Sequence, residues 1–388
     1  MTAITTTSQS APISAGVDQN SFWLRNKKWD LMFLTFSVIV TPLPYLIYLL
    51  GRDLFGIDDN LIRNLVNGFV AIAIGGPHMM STFLRTGLDN NFRQKYPMLI
   101  RSSILIPIVV ISLAFLNLEL LLTVFFAWAA LHVLHQVTYI AELYNYKEHH
   151  YVRKNSRMRM TSRMIDYALI LTCLFPVAAY KVWHGTFQIG TNDLGQVIPS
   201  FFEQRWFFVT LSAIFTIALV AYFIKTFNEW RTGQMNIPKT AFIVITVFVA
   251  FFTPFLPNLD TAFQGLNTWH SFQYLAITFY IIKIRQMYGD LAQDAPLVAR
   301  FSAQTKDSKG LYLLSAGLLI GSVVIFVLVY VLAGIVRPDM SQNQHFDTAY
   351  YTSILAFLWI HYFHDHFLFT DFETLDGAYQ QASVAVGD

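Results

Sequence analysis

The stretch ELLLTVFFAWAALHVLHQVTYIAELY, residues 119–144, decides how the chain is read. It is long enough to cross about 30 Å of hydrocarbon as a helix, yet it contains His132, His135, Gln136, Tyr139 and Glu142. On a helix these polar groups gather into one stripe along an otherwise apolar cylinder. Ionisable groups at membrane depth are costly and face the interior of a bundle or a cavity. The stripe therefore predicts a buried helix whose polar face meets other helices.

The remainder of the chain agrees with that setting. Of 388 residues, 55% are hydrophobic, 16% aromatic and only 13% charged, against about 25% charged in soluble domains. The formal charge of +2 is too small to suggest nucleic acid as a partner. Cys173 is the single cysteine, which excludes a disulfide framework and leaves nitrogen and oxygen as the only donors for a metal. Residues 1–24 read as a disordered polar tail without a signal-peptide pattern, residues 25–375 as one transmembrane helical domain, and residues 376–388 as a C-terminal tail.

Ten apolar stretches have spanning length: 30–50, 61–84, 99–117, 119–144, 164–184, 205–226, 238–257, 262–287, 310–333 and 348–370. The predicted fold is thus an all-α, polytopic transmembrane helical bundle of about ten spans. The weak break at Leu116–Glu119 and the short turn at Pro257–Asp260 leave nine or eleven open. Lys and Arg concentrate in every second loop, as in Arg85, Arg93, Lys95 and Arg101 after the second stretch and Arg153, Lys154, Arg157 and Arg159 after the fourth. Because positive loops stay cytoplasmic, both termini are expected there, and the expected setting is a bacterial inner membrane.

Seven of the eleven histidines fall inside predicted spans: His78, His132, His135, His270, His361, His364 and His366. By position they share one depth range toward the cytoplasmic side. On the second stretch His78 continues into Ser81, Thr82 and Arg85, after a Gly75-Gly76-Pro77 interruption; on the eighth His270 aligns with Gln273 and Tyr274; on the tenth His361 aligns with His364 and Asp365. A lone intramembrane histidine most often bonds a neighbouring helix. Convergence from four helices points instead to a metal, for which imidazole suits Fe, Zn, Cu and Ni.

The expected ligands are His78, His132, His135, His270, His361 and His364, holding one or two ions. Glu142 and Asp365 either complete the coordination or fix a histidine tautomer. Tyr139 and Tyr274 are candidate hydrogen-bond or proton donors to bound oxygen, with helix packing the simpler role. His366 faces another side of its helix; His149 and His150 lie in a basic loop, and His184 and His345 at the far side. Iron is the expected cofactor, with copper and zinc open. Six histidines exceed what one bis-histidine haem uses, and no CxxCH occurs.

The element Gly75-Gly76-Pro77-His78 resembles the Gly-x-Pro-His of the Brp/Blh family of β-carotene dioxygenases, membrane proteins whose histidines on several spans hold a non-haem iron. That resemblance implies His78 as an iron ligand. It ends at Met79, and the later histidine pair here is HxxH rather than HxxxH. Membrane desaturases and alkane hydroxylases are similar in histidine placement, but their HxxHH boxes are missing. The expected function is an O₂-dependent oxygenase or desaturase acting on a carotenoid, isoprenoid or fatty acyl chain, with an electron-donor protein as a further partner. The rival expectations are a proton-coupled transporter or channel and a haem-bearing electron-transfer protein.

Overall fold

The computed structural model describes residues 22–151, 156–189, 192–257, 259–305 and 308–370. Residues 1–21 and 376–388 of the expected tails, and the basic residues Arg153 and Lys154, lie outside the described residues. The fold is all-α. Among the described residues, the only strands form a two-residue hairpin pairing Gln188 with Asp193 and Ile189 with Asn192.

Each of the ten apolar stretches lies on a helix. In chain order these are α1 (Lys27–Leu54), α2 (Asp59–Val70) running through a π turn into α3 (Gly76–Arg85), and α4 (Pro97–Leu116). They continue with α5 (Leu118–Tyr151), α6 (Arg159–Trp183), α7 (Arg205–Arg231), α8 (Ile237–Phe255) and α9 (Leu259–Tyr288). The last two are α10 (Lys309–Val336) and α11 (Gln342–Leu368). Among the described residues, seven helices are long and apolar enough to cross a membrane: α1, α4, α5, α6, α7, α8 and α10. The other three segments, α2–α3, α9 and α11, carry His78, His270 and His361, and their polar side chains lower the mean hydropathy.

These three segments and α5 form the centre of the bundle, and all four run in the same direction. Along α9, Asn67 donates to Asp260 at 2.9 Å and Thr82 bonds Tyr274 at 2.7 Å, so the offset from α2–α3 holds at 193 and 192 residues. Along α11, Tyr350 donates to the Asn67 carbonyl and Thr82 to Asp365, both at an offset of 283. On α5, Phe125 meets Phe263 with ring centroids 5.1 Å apart, and Gln136 donates to Gln273 at 3.3 Å. Only parallel helices keep such an offset, since antiparallel ones change it by two per residue. The shared direction needs a returning helix between consecutive members. Helices α4 and α10, both mostly exposed, serve as such returns beside the centre.

The interruption before His78 takes a defined form. Residues Ala71–Gly75 make a single π turn, a distortion common at functional positions. Pro77 has no N–H for the carbonyl four residues earlier, and the Tyr312 hydroxyl of α10 donates to that Ala73 oxygen at 2.6 Å instead. Helices α5 to α8 are joined by a buried ionic seam in which Lys225 pairs with Asp166, and Lys239 lies 3.2 Å from Glu148 and 3.4 Å from Asp166. Buried pairs of this kind do more to fix which helices meet than to add net stability.

Close backbone approach also holds α9 against α1. A Cβ added at Gly265 would lie 2.0 Å from the Thr41 carbonyl oxygen, whereas one at Gly68 meets nothing within 4 Å. Overpacking against backbone costs about 1–3 kcal/mol or more. Gly265→Ala is therefore expected to lower the thermal unfolding midpoint in detergent, and Gly68→Ala to leave it unchanged or raised, because alanine favours helix by about 1 kcal/mol.

Candidate metal centre

The parallel register brings the four helices' histidines to one level. His78, His132, His270 and His361 are 1%, 4%, 3% and 0% exposed, and each offers a nitrogen within 4.8 Å of the others. The rings meet edge to face, with centroids 4.4 Å apart for His78 and His361 and 4.9 Å for His132 and His270. With bonds near 2.1 Å, nitrogens sit about 3.4 Å apart in a tetrahedron and about 4.2 Å apart across an octahedron. Inward shifts below ~1 Å thus close this group on one ion.

Hydrogen bonding supports the fit. Nε2 of His78, His132 and His361 and both nitrogens of His270 are buried without a hydrogen-bond partner, as is Oδ2 of Asp365. Buried polar atoms are nearly always paired, and four imidazole nitrogens, one from each ring, that converge without a hydrogen-bond partner are the pattern a cation would satisfy. The four histidines can hold a metal ion.

The outward-facing nitrogens are anchored. Nδ1 of His78 lies 3.0 Å from the Ser271 hydroxyl, which itself donates to Asn267 at 3.2 Å. Ser271 therefore accepts from the ring, Nδ1 carries the proton, and the Nε2 lone pair points inward. Nδ1 of His361 lies 2.5 Å from the Thr82 hydroxyl, which donates to Asp365 Oδ1 at 3.1 Å, and the same reasoning directs its Nε2 lone pair inward. Such partners fix the tautomer a metal requires. His132 is held by stacking on Tyr362, centroids 4.1 Å apart.

Each histidine has a polar residue four positions later: Thr82, Gln136, Tyr274 and Asp365. Three of them bond one another, Tyr274 donating to Asp365 Oδ1 at 2.7 Å and lying 2.7 Å from Thr82. Gln136 donates to the His270 carbonyl at 3.1 Å. Asp365 Oδ2 stands 3.4 Å from His361 Nδ1 and 3.8 Å from His132 Nε2. Of the two acids expected here, Asp365 adjoins the imidazoles, and of the two tyrosines, Tyr274 does.

The other expected site residues are placed elsewhere. A helix turns through about 100° per residue, so four residues overshoot one full turn and three residues fall short of it. Positions three and four beyond a histidine therefore lie on opposite sides of it. The bundle turns the latter toward the site, so His135 and His364 turn aside. His135, half-buried, pairs with His366, ring centroids 5.7 Å apart. Both nitrogens of His364 are engaged, with Ser103 at 2.8 Å and Thr86 at 3.0 Å. Glu142, ten residues or about 15 Å of helix beyond His132, pairs with Arg163 at 2.6 Å. Tyr139 stacks on Phe369 with centroids 5.0 Å apart, about 10 Å along α5 from His132. The six-imidazole set narrows to four, enough for one ion. His184 is exposed and His345 bonds the Arg337 carbonyl at 2.9 Å, both apart from this group. The side chains of His149 and His150 lie outside the described residues. Sequence reasoning gave no role to Ser271 or Asn267, although Ser271 directly follows His270.

No family model, no curated protein and no solved structure matches the chain. The likeness of the Gly75–His78 element to the β-carotene dioxygenases therefore rests on those residues alone.

Alanine at His78, His132, His270 or His361 is expected to cut metal affinity at least tenfold, read as metal per folded protein. His364→Ala and His184→Ala should retain the wild-type content. Ser271→Ala and Thr82→Val should each weaken binding 10–100-fold, the range for partners that orient ligands. Equal metal in His132→Ala and His184→Ala would contradict the assignment.

Proposed function

We propose that the protein is an integral membrane enzyme crossing the bilayer ten times with both termini cytoplasmic. It holds one iron ion on His78, His132, His270 and His361 and uses O₂ to oxidise a lipophilic substrate. The observation that carries this reading is the set of unpaired nitrogens on four buried imidazoles beside the unpaired Asp365 oxygen. Iron in such a site supplies electrons that activate O₂ toward unreactive C–H or C=C bonds.

The surroundings favour oxygenation over hydrolysis. On the side of the histidines marked by Met79, Phe125 and Leu358 the wall is mostly hydrocarbon, Asn267 apart, and lines a cavity, a setting that favours an apolar gas and an apolar chain. On the other side Thr82, Tyr274 and Asp365 form a connected run of exchangeable protons. Tyr274 or Asp365 is placed to hold a proton close to the reacting centre, and Arg85, itself buried, extends this polar side. Cleavage that places both oxygen atoms in product needs no outside electrons. Hydroxylation or desaturation takes two from a donor protein. The basic cytoplasmic loops suit an acidic donor.

Elemental analysis and an absorption spectrum of protein purified from membranes test the reading. The expected result is iron near one per chain without a Soret band, and O₂ uptake on reduction that is lost in His132→Ala. A Soret band would move the assignment to haem electron transfer. Metal-free protein in every preparation would move it to proton-coupled transport through the same imidazoles.

A further inference from the structure

A cavity of about 270 Å³ lies among the helices about one turn before the four histidines, none of which lines it, and its lining follows the parallel register. Gly75, Asn267 and Leu358 each stand three residues before a histidine, on the same face of α2–α3, α9 and α11, and Phe125 stands seven before His132 on α5. Because the helices are parallel, all four approach the imidazoles from one side, opposite to Thr82, Tyr274 and Asp365. Asn267 belongs to both structures: it lines the cavity and accepts from the serine that orients His78.

The cavity is elongated. Its lining extends along α2–α3 from Gly68 to Met79 and along α11 from Phe346 to Leu358, about 16–18 Å at 1.5 Å per residue. The end near the histidines is mostly apolar, with Met79, Phe125 and Leu358 around the single amide of Asn267. The far end is polar, with Asp260, Gln264, Tyr350 and Tyr351 in its wall. Asp260 precedes His270 by ten residues, about 15 Å of helix. Arg63 lies 3.1 Å from Asp260 and Asp347 stands close to both, so carboxylates outnumber guanidinium at that end. An anionic group is disfavoured there, while a neutral group that donates a hydrogen bond is accommodated.

The slot also has a mouth. Ile72 and Val323 line it while being 67% and 54% exposed on the apolar outer surface between α2 and α10. Asp260 follows directly on the short turn between α8 and α9, so under the proposed topology the polar end lies at the membrane face opposite the basic loops. A leaflet lipid has the matching arrangement: polar terminus at the interface, chain toward the midplane.

We infer that this slot binds the substrate as a single-chain lipid alcohol, admitted sideways between α2 and α10. Its hydroxyl sits by Asp260, Gln264 and Tyr350, and its chain end lies against Met79, Phe125 and Leu358, one turn or so from the histidines. The assignment of this lipid as substrate rests on the oxygenase reading, whereas its binding does not. A consequence is that chemistry falls about 15 Å from the hydroxyl rather than beside it.

Photolabelling of purified protein tests the assignment. The probes are tetradecanol with a diazirine either beside the hydroxyl-bearing carbon or at the far end of the chain, with matched tetradecanoic acids as the anionic arm. The far-end alcohol should label Met79, Phe125 or Leu358, and the near-hydroxyl alcohol Phe346 or Tyr350. The acids should label at least tenfold less. Gly68→Leu, which projects into open slot, should abolish labelling at wild-type metal content, and mapping on the wild-type chain stands on its own if that variant misfolds.

Reversed labelling positions, equal labelling by the acids, or no labelling of slot residues would overturn the inference. Metal content separates the two proposals. Labelled slot residues in a protein that never holds metal would remove the oxygenase and leave the lipid slot; bound iron with an unlabelled slot would do the opposite.

Discussion

Everything at the centre of this protein depends on four parallel helices held in constant register. Parallel packing repeats the same offset at every turn, so one shared level for His78, His132, His270 and His361 brings shared levels one turn to either side. Below the imidazoles lie Gly75, Asn267 and Leu358, and above them Thr82, Gln136, Tyr274 and Asp365. A slip of one residue in any helix would rotate its side chain by about 100° and remove an imidazole, its polar neighbour and a piece of cavity wall together. The antiparallel neighbours α4 and α10 pack beside this centre, and the buried ionic seam ties α5 to α6, α7 and α8.

The layers differ in chemistry, and this gives the site a direction. One side of the imidazoles is a hydrogen-bonded network that ends in a buried carboxylate; the other leads to a slot whose nearer wall is mostly apolar. The glycines at the π turn contribute to both sides. A Cβ at Gly75 would lie 2.9 Å from the Asn267 side chain, and one at Gly76 would lie 2.4 Å from the Ala71 carbonyl and 2.7 Å from Leu319. Their small size permits the contact that orients His78.

Buried polarity is costly in such a setting, and its distribution is informative. Where the chain buries charge for architecture, as at Lys225, Lys239 and Asp166, partners of opposite sign are close. Around the four histidines it leaves nitrogens and a carboxylate oxygen unpaired instead. The seam brings full cations to its carboxylates, whereas the histidine group gathers neutral donors that can hold a metal ion.

The all-α class, the ten helical segments and the four helices that matter were legible in the sequence, because apolar length and polar stripes are local properties of a helix. Asp365 beside the imidazoles was legible for the same reason, being four residues from His361. Which member of each HxxH pair turns inward was not, since a stripe is wide enough for both and only the crossing of neighbouring helices chooses which edge of it faces the centre. His135, His364 and Glu142 shared a face with true neighbours of the site and found other partners, His366, Ser103 with Thr86, and Arg163. The roles of Ser271 and Asn267 and the slot itself exist only between helices far apart in the chain. Periodicity along one helix fixes which face is polar; register between helices decides what that face meets.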